Sequence, residues 1–142
     1  MSFNKLKSTS RGLIPVAMFM LVSSVAHSAC PVSVSGLANK KFGGEIVSYS
    51  AGPNAGINLN TVFQATFNAQ GTSASATSRY AQNTSGTPFT IKVSTWNSTT
   101  CTAAVVADGR TGIFVFSNSG NAIDGLWTYP DSTTYKLKAI AQ

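Results

Sequence analysis

The chain has 142 residues, 43% of them hydrophobic, and its ten lysines and arginines outnumber four acidic residues to give a formal net charge of +6. Three of the ten basic residues lie within the first eleven positions, so the remainder is only weakly basic. It has no run of basic residues interleaved with aromatic ones, which argues against nucleic acid as a partner. The length suits one domain with a single core.

The N-terminal segment predicts export. Basic residues precede an apolar run of about 14 residues, and small residues follow it, as in a secretory signal peptide over residues 1–28 that is cleaved before Ala29 or Cys30. The run is shorter than the roughly 20 residues that span a bilayer, so no transmembrane segment is expected in the mature chain. We expect a secreted or periplasmic protein with one domain over residues 29–142. A lipid anchor on Cys30 is the alternative.

Alternation of apolar and polar residues with a period of two dominates the rest of the chain. Phe63, Ala65 and Phe67, for example, alternate with Gln64 and Thr66, as in a strand that buries one face. No segment has helical periodicity. Predicted strands lie near residues 44–50, 58–68, 73–80, 89–94, 101–107, 111–117, 122–129 and 133–140.

Turn-forming residues separate these strands, and Asp108-Gly109 is typical of a tight hairpin. Eight sequential strands with one apolar face predict an all-β antiparallel meander that closes into an up-and-down barrel, which removes exposed edges. A two-sheet β-sandwich is the alternative. The faces opposite the aromatics carry Thr, Ser, Asn, Gln and Lys, which is unlike the apolar outer band of a membrane barrel.

The mature chain offers little chemistry for catalysis. The one histidine, His27, falls within the signal segment, which removes the usual Ser-His-Asp, Cys-His and histidine-based zinc sites. Carboxylates could still form a glycosidase-like pair, either Asp108 with Asp124 or Glu45 with Asp131. All four, however, fall in predicted turns or on outward strand positions. We expect no catalytic residue, no metal and no cofactor, and therefore no enzyme.

The two cysteines predict a disulfide. Cys30 and Cys101 are the only cysteines of an exported chain, and such pairs oxidise outside the cytosol. A reactive thiol at Cys101 is the alternative, but no electropositive neighbour in the sequence would favour the thiolate. Closing a loop of about 70 residues stabilises a fold by roughly 3–4.5 kcal/mol in the chain-entropy model.

Aromatic residues on the inward faces either fill the core or line an apolar cavity. Barrels of eight strands have the size at which both outcomes occur. The small residues 74–78 and Gly125 favour some free space. Trp96 falls in a predicted loop, where it either contacts a partner or caps the barrel end. The candidate ligand-binding residues are Phe63, Phe67, Tyr80, Trp127 and Tyr129.

The stretch from Phe89 to Trp127 combines a strand, a short loop, Cys-Thr, a second strand, a turn, Phe-x-Phe and a Ser/Asn-x-Gly turn. This arrangement resembles a group of small exported bacterial proteins of unknown function that look like lipocalin- or calycin-type barrels. Ala103 stands where that group has Gly. The resemblance implies location and architecture, and it transfers no catalytic residue.

Two functions follow as expectations. The first is a non-catalytic binding protein that holds a small apolar or amphipathic ligand in the barrel mouth, because the inner face is aromatic and lacks reactive groups. The second is a protein-binding module, such as a hydrolase inhibitor or a cell-surface component, that acts through loops 52–56, 82–88 and 96–100.

Overall fold

The computed structural model describes residues 29–52, 55–56 and 58–142. The predicted signal peptide lies outside the described residues. The chain folds into a closed barrel of eight strands. The strands are β1 (Lys41–Ala51), β2 (Asn58–Phe67), β3 (Ser73–Tyr80), β4 (Thr87–Asn97), β5 (Thr102–Ala107), β6 (Arg110–Ser117), β7 (Ala122–Thr128) and β8 (Thr134–Ala141).

Each strand pairs antiparallel with the next one, and β8 pairs with β1 to close the barrel. The predicted up-and-down barrel is thus confirmed, and the sandwich alternative is wrong. The Asp108-Gly109 turn joins β5 to β6 with positive φ at both residues, as a tight hairpin requires. A short 3-10 helix, Val34–Leu37, precedes the barrel. None of the helices in the described part of the chain has the length and apolar character to cross a membrane.

The strands bury alternate residues, so one face of each strand fills the lumen. In β6 the inward side chains are Arg110, Phe114 and Phe116, with Gly112 between them, while the residues between these positions are exposed. The lumen is therefore packed mainly by rings and small aliphatic groups. The largest fully buried side chains are Phe42, Phe63, Phe114, Leu37, Ile91, Ile123, Leu137 and Val105.

Large and small residues complement one another across β6 and β7. Gly112 lies opposite Trp127, and Phe114 lies opposite Gly125. A Cβ at position 125 would come within 2.9 Å of the Phe114 ring. Gly125 was expected to leave free space in the lumen, but this is wrong because Phe114 occupies that space.

One end of the barrel, where β1 begins and β8 finishes, is packed shut, and we call it the closed end. The Phe42 ring lies 5.8 Å from that of Phe67 and 6.1 Å from that of Phe116, measured between centroids. Leu37 from the 3-10 helix is fully buried in the same cluster. The Asn39 N–H donates to the carbonyl of Asn68 and so ties the segment after the helix to the β2–β3 turn.

Lys40 closes this end on another side. Its ammonium donates to the carbonyls of Ser119 and Gly120, at 3.2 and 2.9 Å, and to Oδ1 of Asn121 at 2.8 Å. Partial burial lowers the pKa of Lys40. The three acceptors belong to the β6–β7 turn, so Lys40 fixes that turn against the start of β1.

The N-terminal segment is anchored at the closed end by a disulfide. Cys30 bonds to Cys101, with Cα atoms 5.4 Å apart, as predicted. Beside this bond, Nε1 of Trp96 donates to the carbonyl of Pro31 at 3.3 Å. The bridge and this hydrogen bond together fix the segment ahead of the 3-10 helix against the end of β4 and the start of β5.

Candidate functional site

The other end of the barrel, which we call the mouth, holds a cavity of about 300 Å³. It is surrounded by the ends of β1, β3 and β7 and by the starts of β2, β4, β6 and β8. It therefore opens at the end of the barrel that carries the β1–β2, β3–β4, β5–β6 and β7–β8 connections. Pockets for small ligands begin at about this volume. Its lining residues are Ile46, Tyr49, Thr61, Ser78, Arg79, Tyr80, Asn83, Ser85, Thr87, Phe89, Arg110, Trp127, Tyr129 and Tyr135.

Three tyrosines form one wall of the cavity. The ring centroid of Tyr135 lies 4.5 Å from that of Tyr49 and 4.8 Å from that of Tyr129. Tyr49 reaches this wall because the pairing of β1 shifts by one residue between Ile46 and Ser48. Such a bulge rotates the residues that follow it to the opposite face. Tyr49 and Tyr135 are then direct partners across the two strands that close the barrel.

Tyr135 remains a neutral phenol over a wide pH range. Burial raises the pKa of Tyr135, and a hydrogen bond with Tyr49 and electrostatic interactions with Tyr129, Tyr49 and Asp131 raise it further. The hydroxyl therefore stays available to hydrogen-bond a ligand without adding a negative charge to the cavity at neutral pH.

Arg110 projects into the cavity from the start of β6. Its guanidinium Cζ lies 4.7 Å from the ring centroid of Phe89, 5.3 Å from that of Tyr129 and 5.7 Å from that of Trp127. Nη1 donates to the Tyr129 hydroxyl at 3.1 Å, and Nε donates to the Ala107 carbonyl at 3.3 Å. The cation is thus held in place by three rings and two neutral acceptors.

Two charged residues lie at the edge of this arrangement. Asp108 places a carboxylate oxygen 3.5 Å from Nη2 of Arg110, but its side chain is 64% exposed against 16% for the arginine. Arg79 donates from Nη1 to the carbonyls of Ala81 and Asn83, at 3.2 and 2.6 Å. Arg79 therefore fixes the β3–β4 loop at the rim, whereas Arg110 faces the interior.

The mouth brings together three of the five candidate ligand-binding residues. Tyr80, Trp127 and Tyr129 line the cavity. Phe63 is fully buried beside Phe89, with ring centroids 6.4 Å apart, and is absent from the lining. Phe67 packs at the closed end. These two aromatics are core residues in this structure.

Trp96 lies near the end of β4 rather than in a loop. The β4–β5 register shifts between Val93 and Thr95, and the half-buried indole packs 5.5 Å from the Phe116 ring. It therefore caps the closed end, far from the cavity. Its predicted contact with a partner stays a prediction.

None of the four carboxylates is among the cavity-lining residues, although Asp108 lies beside Arg110. Asp108 and Asp131 lie in turns, where Asp131 accepts a hydrogen bond from the Thr133 N–H at 2.9 Å. Glu45 and Asp124 are exposed on outward strand positions. Within the described residues, no three His, Cys, Asp or Glu side chains group closely enough to hold a metal ion.

The cavity therefore combines aromatic walls, hydroxyl groups and a fixed guanidinium. No protein-family model and no curated protein matches this chain. The closed antiparallel barrel of eight strands is compatible with the lipocalin-like fold that the resemblance implied.

Arg110 and Tyr49 line the cavity but were not among the site residues predicted from the sequence. A signal for Arg110 was present, because it has the same parity as Gly112, Phe114 and Phe116 on the inward face of β6. Nothing comparable pointed to Tyr49, whose orientation depends on the bulge in β1.

Proposed function

We propose that this protein is an exported, non-catalytic binding protein that holds a small apolar or amphipathic ligand in the mouth cavity. The observation that carries the proposal is the cavity of about 300 Å³ at one end of an otherwise packed barrel. Its aromatic walls supply apolar contact area, and its hydroxyl and guanidinium groups supply the few polar contacts that orient a ligand.

The disulfide supports an extracellular or periplasmic location. Cys30 and Cys101 are bonded, and such bonds persist in oxidising compartments and are rare in the cytosol. Cleavage of the predicted signal peptide near Ala29 would release the domain with this bond at its N-terminus.

The two tryptophans allow a direct test, because they lie at opposite ends of the barrel. Trp127 lines the cavity and Trp96 caps the closed end. In Trp96→Phe, the remaining indole reports on the cavity; in Trp127→Phe, the remaining indole reports on the closed end. Titration with small aromatic acids, indoles and short-chain amphiphiles should give a saturable change in emission from the first variant and none from the second.

A variant that fills the cavity provides the second test. Ser78 lines the mouth, whereas the neighbouring Thr77 points to the outer side of the same strand. Ser78→Phe should abolish the titration, and the matched Thr77→Phe should leave it intact. A folded protein whose Trp127 emission responds to none of these ligands would refute the proposal.

The alternative function, a protein-binding module, gives a different pattern. The loops that begin at Gly52 and Ala81 border the mouth, while the turn at Ser98–Thr100 lies at the closed end. One partner surface would not contact both ends of the barrel at once. A protein partner bound at the closed end should change the emission of Trp96 in the Trp127→Phe variant. It should leave the emission of Trp127 in the Trp96→Phe variant unchanged.

A further inference from the structure

We propose that the ligand of the mouth cavity is a small organic carboxylate with an aromatic or short apolar body, and that Arg110 binds its carboxylate group. This inference rests on the proposed function and specifies the chemistry of the ligand. It is argued from the charge of the cavity, the state of the Arg110 guanidinium and the volume available.

The described cavity lining is positively charged. It contains Arg79 and Arg110 and no carboxylate. The tyrosine wall does not offset this charge, because burial raises the pKa of Tyr135 and keeps its hydroxyl neutral. An anion entering the mouth therefore meets an attractive field whose lines are concentrated by the surrounding apolar walls.

The charge of Arg110 is only partly compensated. Its side chain is 16% exposed, so it has lost most of its hydration. In exchange it contacts three aromatic rings, the Tyr129 hydroxyl and one backbone carbonyl, all of them neutral. The single acid beside it, Asp108, is largely solvated, and ion pairs of this kind contribute little. A ligand carboxylate would supply the missing counter-charge.

The guanidinium is also fixed in position while retaining free donors. Contacts with the described residues engage Nε, Nη1 and Nη2 once each. Because a guanidinium has five N–H donors, about two remain for a ligand. Rings on several sides restrict the side chain before the ligand arrives, so little further entropy is lost on binding.

Arg79 lacks these properties. Its Nη1 is shared between the carbonyls of Ala81 and Asn83, so it is committed to the β3–β4 loop. It lines the same cavity and carries the same charge. It is therefore the matched control for Arg110.

The volume limits the body of the ligand. A cavity of about 300 Å³ is at the lower end of the range for small-ligand pockets, which suits a single or fused ring bearing an acid group. The rings of Phe89 and Trp127 beside Arg110 provide the apolar contact.

The decisive experiment compares each acid with its neutral amide, a near-isostere. Indole-3-acetate against indole-3-acetamide, and 1-naphthoate against 1-naphthamide, are titrated into the wild-type mature protein by calorimetry at pH 7. We expect each acid to bind about tenfold or more tightly than its amide, because charge-assisted hydrogen bonds are the stronger kind. Added salt should weaken binding of the acids and leave that of the amides unchanged.

The variants assign the preference to one residue. Arg110→Gln should reduce the ratio between acid and amide to less than threefold, while Arg79→Gln, which removes a charge at the rim but no donor held in the interior, should lower the ratio by no more than about twofold. If wild-type protein binds acid and amide equally, the carboxylate inference fails and the proposed function stands. If it binds neither, while the Trp127 titrations also stay flat, both fail. A preference that survives in Arg110→Gln would overturn the role of Arg110. Should this variant not fold, the salt dependence of the acid–amide ratio in wild type decides the inference.

Discussion

Gly112 in β6 lies directly opposite Trp127 in β7, and the indole occupies the space that a side chain at position 112 would need. A Cβ at that position would come within 2.7 Å of Cε3 of Trp127 and 2.9 Å of Cγ2 of Val105. Trp127 also lines the cavity and lies beside Arg110. A glycine on the neighbouring strand therefore fixes the wall against which a ligand would pack.

Gly112→Ala should destabilise the barrel by about 1–3 kcal/mol, because the added methyl overpacks a filled lumen. The measurement is the midpoint and slope of urea unfolding. Thr111→Ala changes the neighbouring exposed residue and should alter the free energy of unfolding by no more than about 0.5 kcal/mol. Equal stability of Gly112→Ala and wild type would show that the indole has room to move.

Removing the disulfide should loosen the closed end. The double variant Cys30→Ser and Cys101→Ser removes a disulfide between residues 71 positions apart in the sequence. The free energy of unfolding should fall by about 2–4 kcal/mol. Thermal unfolding of the variant, compared with wild type with and without reductant, measures this loss. Trp96 emission should shift to longer wavelength, since its hydrogen bond to Pro31 depends on the anchored segment. Unchanged stability would mean that the segment stays docked without the bond.

Lys40 and Lys41 are adjacent but differ in their contacts. Lys40 donates to three acceptors of the β6–β7 turn, and Lys41 is exposed. Lys40→Met should cost about 1–2 kcal/mol, because the partly buried Gly120 carbonyl and two exposed acceptors lose a charged donor. Lys41→Met should change stability by less than about 0.5 kcal/mol. If the two variants lost the same free energy of unfolding in urea, the contacts of Lys40 with the β6–β7 turn would not stabilise the closed end.

The tyrosine wall predicts a loss of stability at alkaline pH. The pKa of Tyr135 is raised by burial, so the folded chain holds this proton more tightly than the unfolded chain does. The resulting stabilisation is fully present below the unfolded pKa of about 10 and is lost as pH rises above it. Urea midpoints measured from pH 8 to 11 should fall more steeply in wild type than in Tyr135→Phe. If the urea midpoints of wild type and Tyr135→Phe fell equally with pH, the raised pKa of Tyr135 would not account for the loss of stability.

Asp108→Asn should improve carboxylate binding about two- to fivefold. The substitution removes the acid that lies 3.5 Å from Nη2 of Arg110, and such exposed pairs are weak. Asparagine suits the positive φ of 45° at this position, so the hairpin should be preserved. Calorimetry with indole-3-acetate measures the change, and indole-3-acetamide serves as the control ligand. Weaker binding of the acid would mean that Asp108 positions the guanidinium.

The strands and their inward faces could be predicted because alternation with a period of two survives in almost every strand. Phe63 and Phe67, for example, fall on the buried side as expected. Alternation indicates whether a residue faces inward or outward, but it does not indicate where the residue lies along the barrel axis. In a meander, however, successive turns alternate between the two ends. Phe67 precedes the second turn and Tyr80 precedes the third, so their separation could have been inferred.

The cavity was harder to predict because it depends on a bulge in β1 and on one inward charge. The bulge rotates Tyr49 inward, and no residue type at that position signals it; the shift in β4 does the same for Trp96 at the closed end. Arg110 has the parity of an inward residue, but a lone charge is usually assigned to the solvent. The burial of Arg110 depends on the rings of Phe89, Trp127 and Tyr129, which come from separate parts of the chain and meet only after folding.

The placement of the disulfide and of β8 gives the barrel a direction. Cys30 is bonded at the closed end, and the Gln142 N–H donates to the carbonyl of Lys41 at the same end. Anything joined to either end of the described chain, whether a fusion partner, a resin or a lipid, would hold the molecule by its sealed base. The opening would then point away from the support, free to sample the surrounding solution.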